Sequence, residues 1–140
     1  MDFAVHRDPK ALQSTCYIEI GPGPHVGGHW KEGFWFVADD AFEFAAGVVS
    51  DHFPTYDPYS INELPSFVAL GIAQDLRAAA DAIRFGADAS MSLHLTSSRA
   101  ARLRSALHQN GAEIADMLGN IAAALESSAQ GSDWVCVLGL

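Results

Sequence analysis

The sequence predicts an α+β fold in which a small sheet of about three strands packs against about four helices. Two short segments of strand character precede residue 40, and a third lies at the other end of the sequence. Apolar residues at helical spacing fill the region between them. The 140 residues are 49% hydrophobic, which suits one domain spanning residues 1–140. The sheet is therefore expected to form from both ends of the chain.

The three predicted strands differ in their patterns. Residues 15–20 alternate, which predicts a strand with Tyr17 and Glu19 on the face opposite its isoleucines. Residues 34–37 and 134–138 are apolar on both faces, so we expect both sides of these strands to be covered. The segment between the first two strands is rich in glycine and proline and predicts a long hairpin connection.

Start and stop signals define two helices in the middle of the sequence. Asp40 is a predicted N-cap, Glu43 stands three residues later as in a capping box, and Pro54 ends this helix. Pro65 can open the next helix, because the first helical position needs no backbone donor, and Gly86 is a suitable stop. The residues between the two prolines are a predicted loop.

Two more helices are predicted before the last strand. Thr96 or Ser97 can cap the third helix, and residues 114–128 form a fourth with a clear apolar face. Asn110 and Gly111 lie between them and predict either a break or a kink.

The negative charge is concentrated in one third of the chain. The formal net charge is −9, and residues 32–76 contain eight acidic residues but no Lys or Arg. We expect the later arginines Arg99, Arg102 and Arg104 to lie on the solvent face of a helix or to pair with acids of the first helix. A pI near 4.8 argues against direct binding of nucleic acid, because phosphate contacts need clustered Lys and Arg. A basic protein partner remains compatible with this charge.

The acidic segment is either a solvated face or a docking surface for a basic partner. In a docking surface, carboxylates steer the encounter and tyrosines supply buried anchors. The predicted partner-binding residues are Asp39, Glu43, Asp51, Tyr56, Asp57, Tyr59 and Glu63.

A small enzyme or a ligand- or metal-binding domain is the second hypothesis. Asp51 beside His52 suggests general-base chemistry, but no nucleophile is placed relative to them. His25 and His29 have a metal-binding spacing only on a helix, and the surrounding Pro and Gly predict a loop without further ligands. We therefore predict no catalytic residues, no metal and no cofactor. A third hypothesis is an acidic effector chaperone or adaptor.

The two cysteines, Cys16 and Cys136, are expected to be reduced, buried thiols. A disulfide between neighbouring strands and a Cys–His catalytic pair are the alternatives.

The first residues lack the basic start and apolar centre of a secretory signal, and no apolar run is long enough to span a membrane. These features predict a cytoplasmic location without membrane contact.

The middle of the chain, residues 33–86, combines the aromatic strand 34–37, the acidic helix start 39–42, and a loop rich in Tyr, Asp and Pro that ends in an Asn-Glu-Leu-Pro step at 62–65. In these features it resembles immunity proteins of bacterial polymorphic-toxin and contact-dependent growth inhibition systems. It implies a non-enzymatic inhibitor that binds a cognate toxin domain and blocks its active site or substrate path. Such toxins are often nucleases, including transfer-RNA nucleases, and an acidic inhibitor can occupy the basic surface that a nuclease needs.

Overall fold

The computed structural model describes residues 1–139, which form a five-stranded antiparallel sheet and three α-helices. In chain order, the elements are β1 (Val5–His6), β2 (Tyr17–Pro22), β3 (Trp35–Ala38), α1 (Asp39–His52), β4 (Ile61–Pro65), α2 (Ser66–Arg84), α3 (Ser97–Gln130) and β5 (Trp134–Leu138). The strand order is β1-β3-β2-β5-β4, so β2 and β5 lie side by side. The α+β class and the sheet built from both chain ends are confirmed. The detail differs, because the sheet has five strands instead of about three, and the third and fourth predicted helices are joined through a kink into α3.

The two additional strands occupy the edges of the sheet. β1 has only two residues and pairs with β3. β4 pairs with β5 and alternates, with Ile61 and Glu63 exposed and Asn62 and Leu64 buried. Pro65 ends this strand and is tolerated there because an edge strand leaves donors on one side unpaired. The segment predicted as a loop up to residue 64 therefore ends in a strand.

One predicted helix start is wrong, and the break or kink predicted at Asn110 is a kink. Ala38 is the N-cap of α1 and gives no side-chain cap, while the Asp39 carboxylate accepts the backbone N–H of Asp40 at 2.8 Å. The capping box of Asp40 and Glu43 is therefore wrong. Asn110, with φ −128° and ψ 25°, kinks α3 without ending it, so the third and fourth predicted helices form one element.

The helices cover one face of the sheet, and the loop 23–34 covers part of the other. Trp30 in this loop stacks on Phe36 of β3, with ring centroids 6.0 Å apart. Tyr17 and Glu19 lie beneath the loop and are only 6% and 1% exposed. The face opposite the isoleucines is therefore covered as well, because the hairpin connection folds back over the sheet.

α2 and α3 pack along each other and complete the core. Ile72, Leu76 and Ala79 of α2 are buried, as their helical spacing predicts, and Leu118 and Ile121 of α3 are buried too. Within residues 1–139, none of the helices has the length and apolarity required to cross a membrane.

The two cysteines are free thiols in different environments. Cys16 is exposed and Cys136 is buried, so the disulfide and a buried Cys16 are both wrong. Burial, with a smaller contribution from the carboxylate of Glu63, raises the pKa of the Cys136 thiol to about 11. Because only the thiolate reacts with alkylating agents, Cys136 is protected chemically as well as sterically.

Iodoacetamide at pH 8 is therefore expected to label Cys16 at least about tenfold faster than Cys136 in the native protein. Mass spectrometry of the tryptic peptides measures both rates. In denaturant the two cysteines should react alike, and Cys16→Ser should leave the native protein almost unlabelled. Rapid native labelling of Cys136 would contradict the buried position of β5.

Candidate functional site

A cleft of about 230 Å³ opens between α1, the loop 53–60 and the start of α3, and we call it the α1 cleft. Phe42 and Ile18 contribute apolar surface to it. Its polar residues are Asp39, Glu43, Ser50, Tyr56, Tyr59 and Arg99. The cleft therefore combines both signs of charge with two tyrosines, which suits a polar ligand or a partner side chain.

Four of the seven predicted partner-binding residues line the α1 cleft. Asp39 and Glu43 are four residues apart in α1, so they project from the same side of the helix. Tyr56 and Tyr59 come from the loop that follows α1 and face them across the opening. The fold thus brings the carboxylates of the helix and the tyrosines of the loop to one place.

Tyr56 carries the least satisfied polar group of the cleft. Its ring packs against Phe42, with centroids 6.3 Å apart, and its hydroxyl is buried without a hydrogen-bond partner among residues 1–139. Burial raises the pKa of Tyr56 far above its ordinary value, against the opposing effect of Arg99, so the hydroxyl stays protonated. A buried hydroxyl without a hydrogen-bond partner costs free energy.

Asn62 fixes the loop that carries the two tyrosines. Its side-chain oxygen accepts the N–H of Asp57 at 2.9 Å, and its Nδ2 donates to the carbonyls of Asp57 and Val137 at 2.8 and 3.0 Å. The Asp57 carboxylate in turn accepts the N–H of Tyr59 at 2.9 Å. Asp57 therefore shapes the loop beside the cleft, and the exposed ring of Tyr59 stands at its rim.

Glu43 is partly neutralised by α3. Its Oε2 lies 2.5 Å from the guanidinium of Arg102 and 3.9 Å from that of Arg99. This confirms the expectation that arginines pair with acids of the first helix, although Arg104 pairs with Asp88 instead, at 2.7 Å. Such half-exposed pairs contribute little stability. Asp39 is therefore the less compensated carboxylate of the α1 cleft.

The other predicted acids lie outside this cleft. Asp51, near the end of α1, is 3.7 Å from His94. Glu63, on the edge strand β4, accepts the backbone N–H of His25 at 2.8 Å. The acidic third of the chain is thus divided among several local contacts, and the structure does not gather all seven predicted residues in one cleft.

The residues of the enzyme hypothesis do not meet. His52 Nε2 lies 2.6 Å from Asp75 Oδ2, and Gly71 permits this approach because a Cβ there would lie 3.0 Å from the imidazole. His29 instead contacts Glu19, under the loop on the other face of the sheet. Among residues 1–139, no three His, Cys, Asp or Glu side chains are placed to hold a metal ion together.

Comparisons with protein-family models, with curated proteins and with solved structures found no match for this chain. The function therefore has to be argued from the site itself, because an α+β architecture hosts many activities.

Proposed function

We propose that this chain is a non-enzymatic binding protein that neutralises a basic toxin domain, with a nuclease as the favoured toxin class. The resemblance of residues 33–86 to immunity proteins and the net charge of −9 support this function. The observation that carries it is the α1 cleft, in which the less compensated carboxylate of Asp39 lies beside Glu43 and two tyrosines. These groups suit a cationic side chain supplied by another protein.

In this proposal, a lysine or arginine of the partner enters the α1 cleft. Its N–H groups donate to the Asp39 carboxylate, while the ring of Tyr59 covers its aliphatic stem. The exposed acids around the cleft, such as Asp40 and Asp57, steer a basic surface towards it. A toxin bound in this way would have its substrate path occluded by the inhibitor.

Co-expression tests the proposed function directly. The chain is expressed together with each of a panel of basic nuclease toxin domains, and growth is the readout. Rescue by the intact chain, with no effect of the chain on unrelated toxins, is the expected result. Failure to rescue any toxin, together with no measurable complex in solution, would overturn it.

Binding kinetics with the rescued toxin domain test the cleft. Asp39→Lys is expected to weaken binding about tenfold, mainly through a slower association that also falls as salt rises. Tyr59→Ala should weaken binding several-fold without a large loss of stability, because it removes an exposed ring at the rim of the α1 cleft.

The matched control is Asp81→Lys, which makes the same charge change at an exposed position of α2 away from the α1 cleft. It should leave affinity within about twofold. Equal losses for Asp39→Lys and Asp81→Lys would mean that only net charge matters, and the cleft assignment would then be rejected.

A further inference from the structure

A second cavity lies on the opposite face of the sheet from the helices, and we call it the β2 cavity. It measures about 190 Å³ and is lined by Thr15, Tyr17, Glu19, His29, Trp30 and Gly139. This volume is below the roughly 300–1,000 Å³ of sites for drug-sized ligands, so the β2 cavity suits only a small group. None of these residues lines the α1 cleft.

Glu19 is a buried carboxylate that lines the β2 cavity. Its side chain is 1% exposed and accepts the backbone N–H of Trp30, at 3.0 Å from each oxygen, and the ring nitrogen of His29 at 3.1 Å. A carboxylate can accept about four hydrogen bonds, so these two donors leave capacity unused. Among residues 1–139, its only basic partner is His29, whose Nδ1 lies 3.1 Å from Oε1. A second positive group near this buried carboxylate would also interact favourably with it.

The backbone is strained at Trp30, the residue whose N–H donates to this carboxylate. Trp30 has φ +63°, a left-handed conformation that a bulky side chain rarely adopts. The N–H of this same residue donates to both carboxylate oxygens of Glu19. Backbone strain of this kind is concentrated at ligand-binding and catalytic sites.

Two aromatic side chains complete the wall of the β2 cavity. The rings of Tyr17 and Trp30 meet nearly at right angles, with an interplanar angle of 78° and centroids 6.5 Å apart. Phe36 supports Trp30 from behind by stacking on it. Perpendicular aromatic walls beside a carboxylate are the chemistry that recognises substituted ammonium groups, which combine positive charge with apolar surface.

We propose that the β2 cavity binds a small organic cation with a substituted ammonium group. The carboxylate of Glu19 balances its charge, and the rings of Tyr17 and Trp30 contact its alkyl groups. This site is independent of the α1 cleft, so its existence does not depend on the proposed toxin-neutralising function.

Nuclear magnetic resonance titration tests the proposal with tetramethylammonium as the probe and tert-butanol as the neutral molecule of similar shape. Tetramethylammonium is expected to shift the backbone amide and indole signals of Trp30, whereas tert-butanol should shift them at least tenfold less at equal concentration. The same shifts from both molecules would show a merely apolar cavity and would overturn the proposal. The absence of any shift at Trp30 would overturn it as well.

Two variants separate charge from shape. Glu19→Gln keeps the size of the side chain and is expected to weaken tetramethylammonium binding at least tenfold. If Glu19→Gln does not fold, Trp30→Leu removes one aromatic wall at a position that is 36% exposed and should give a severalfold loss. Trp134→Phe alters another exposed tryptophan outside the β2 cavity and is the control that should bind normally. Unchanged binding in every folded variant of Glu19 and Trp30 would reject the site.

Discussion

Replacing Asn62 with alanine is expected to lower the free energy of unfolding by about 3 kcal/mol. Asn62 is 4% exposed, and its side chain satisfies the N–H and the carbonyl of Asp57 and the carbonyl of Val137. Alanine would leave these groups without their partner, and water could reach them only by opening the edge of the sheet. Chemical denaturation followed by circular dichroism measures the change.

The same variant should also loosen the loop that carries Tyr56 and Tyr59. Amide hydrogen exchange at Asp57, whose N–H bonds to Asn62, is expected to become faster while exchange in the core of α3 changes only with global stability. The control is Asn120→Ala, an exposed position of α3 where the change should stay within about 0.5 kcal/mol. A stability loss at Asn62 no greater than at Asn120 would show that the side chain does not hold the loop.

The substitution Gly47→Ala is expected to destabilise the protein by about 2 kcal/mol, although alanine is the better helix former. A Cβ at this position of α1 would overlap the carbonyl oxygen of Leu93 and lie 2.7 Å from that of His94. These are backbone atoms of the segment that crosses α1. His94 itself has φ +53°, a backbone conformation that residues other than glycine rarely adopt. Thermal and chemical denaturation would measure the loss.

Gly119→Ala in α3 provides the matched comparison. The nearest atom to a Cβ there is the guanidinium of Arg84, at an ordinary contact distance of 3.9 Å. This substitution should therefore stabilise the protein by up to about 1 kcal/mol, since only the helix propensity changes. Opposite signs for the two variants are the expected result, and equal stability would refute the close packing at Gly47.

The parts of the fold that follow a strong local pattern could be predicted from the sequence. The stripe of Ile72 and Leu76 on α2 and the apolar strand β5 are such cases. β4 has a strand alternation too, but polar Asn62 points inward and Pro65 stands at its end, so local signals favoured a loop. Asn110 and Gly111 both weaken a helix, so the sequence indicates an interruption there. It does not show that α3 continues beyond this point and packs against α2.

Some residues of the candidate sites could also be predicted from the sequence, and others could not. Charge and tyrosine content indicated Asp39, Glu43, Tyr56 and Tyr59, and the fold places all four in one cleft. The role of Glu19 could not be predicted, because alternation alone places it opposite the isoleucines and does not show what covers that face. Its burial depends on a loop that returns over the sheet, which is a tertiary effect without a periodic signal.

The pairing of β2 with β5 has a consequence for the order in which the molecule is assembled. These neighbours are separated by most of the chain, so their contact closes a very long loop and carries a large entropic cost. The β2–β3 hairpin and the helix pair α2–α3 involve much nearer contacts and can form first. Until β5 pairs with β2 and β4, each of those strands has an edge whose backbone N–H and C=O groups are unpaired. The intermediate without β5 is therefore the species most prone to aggregation.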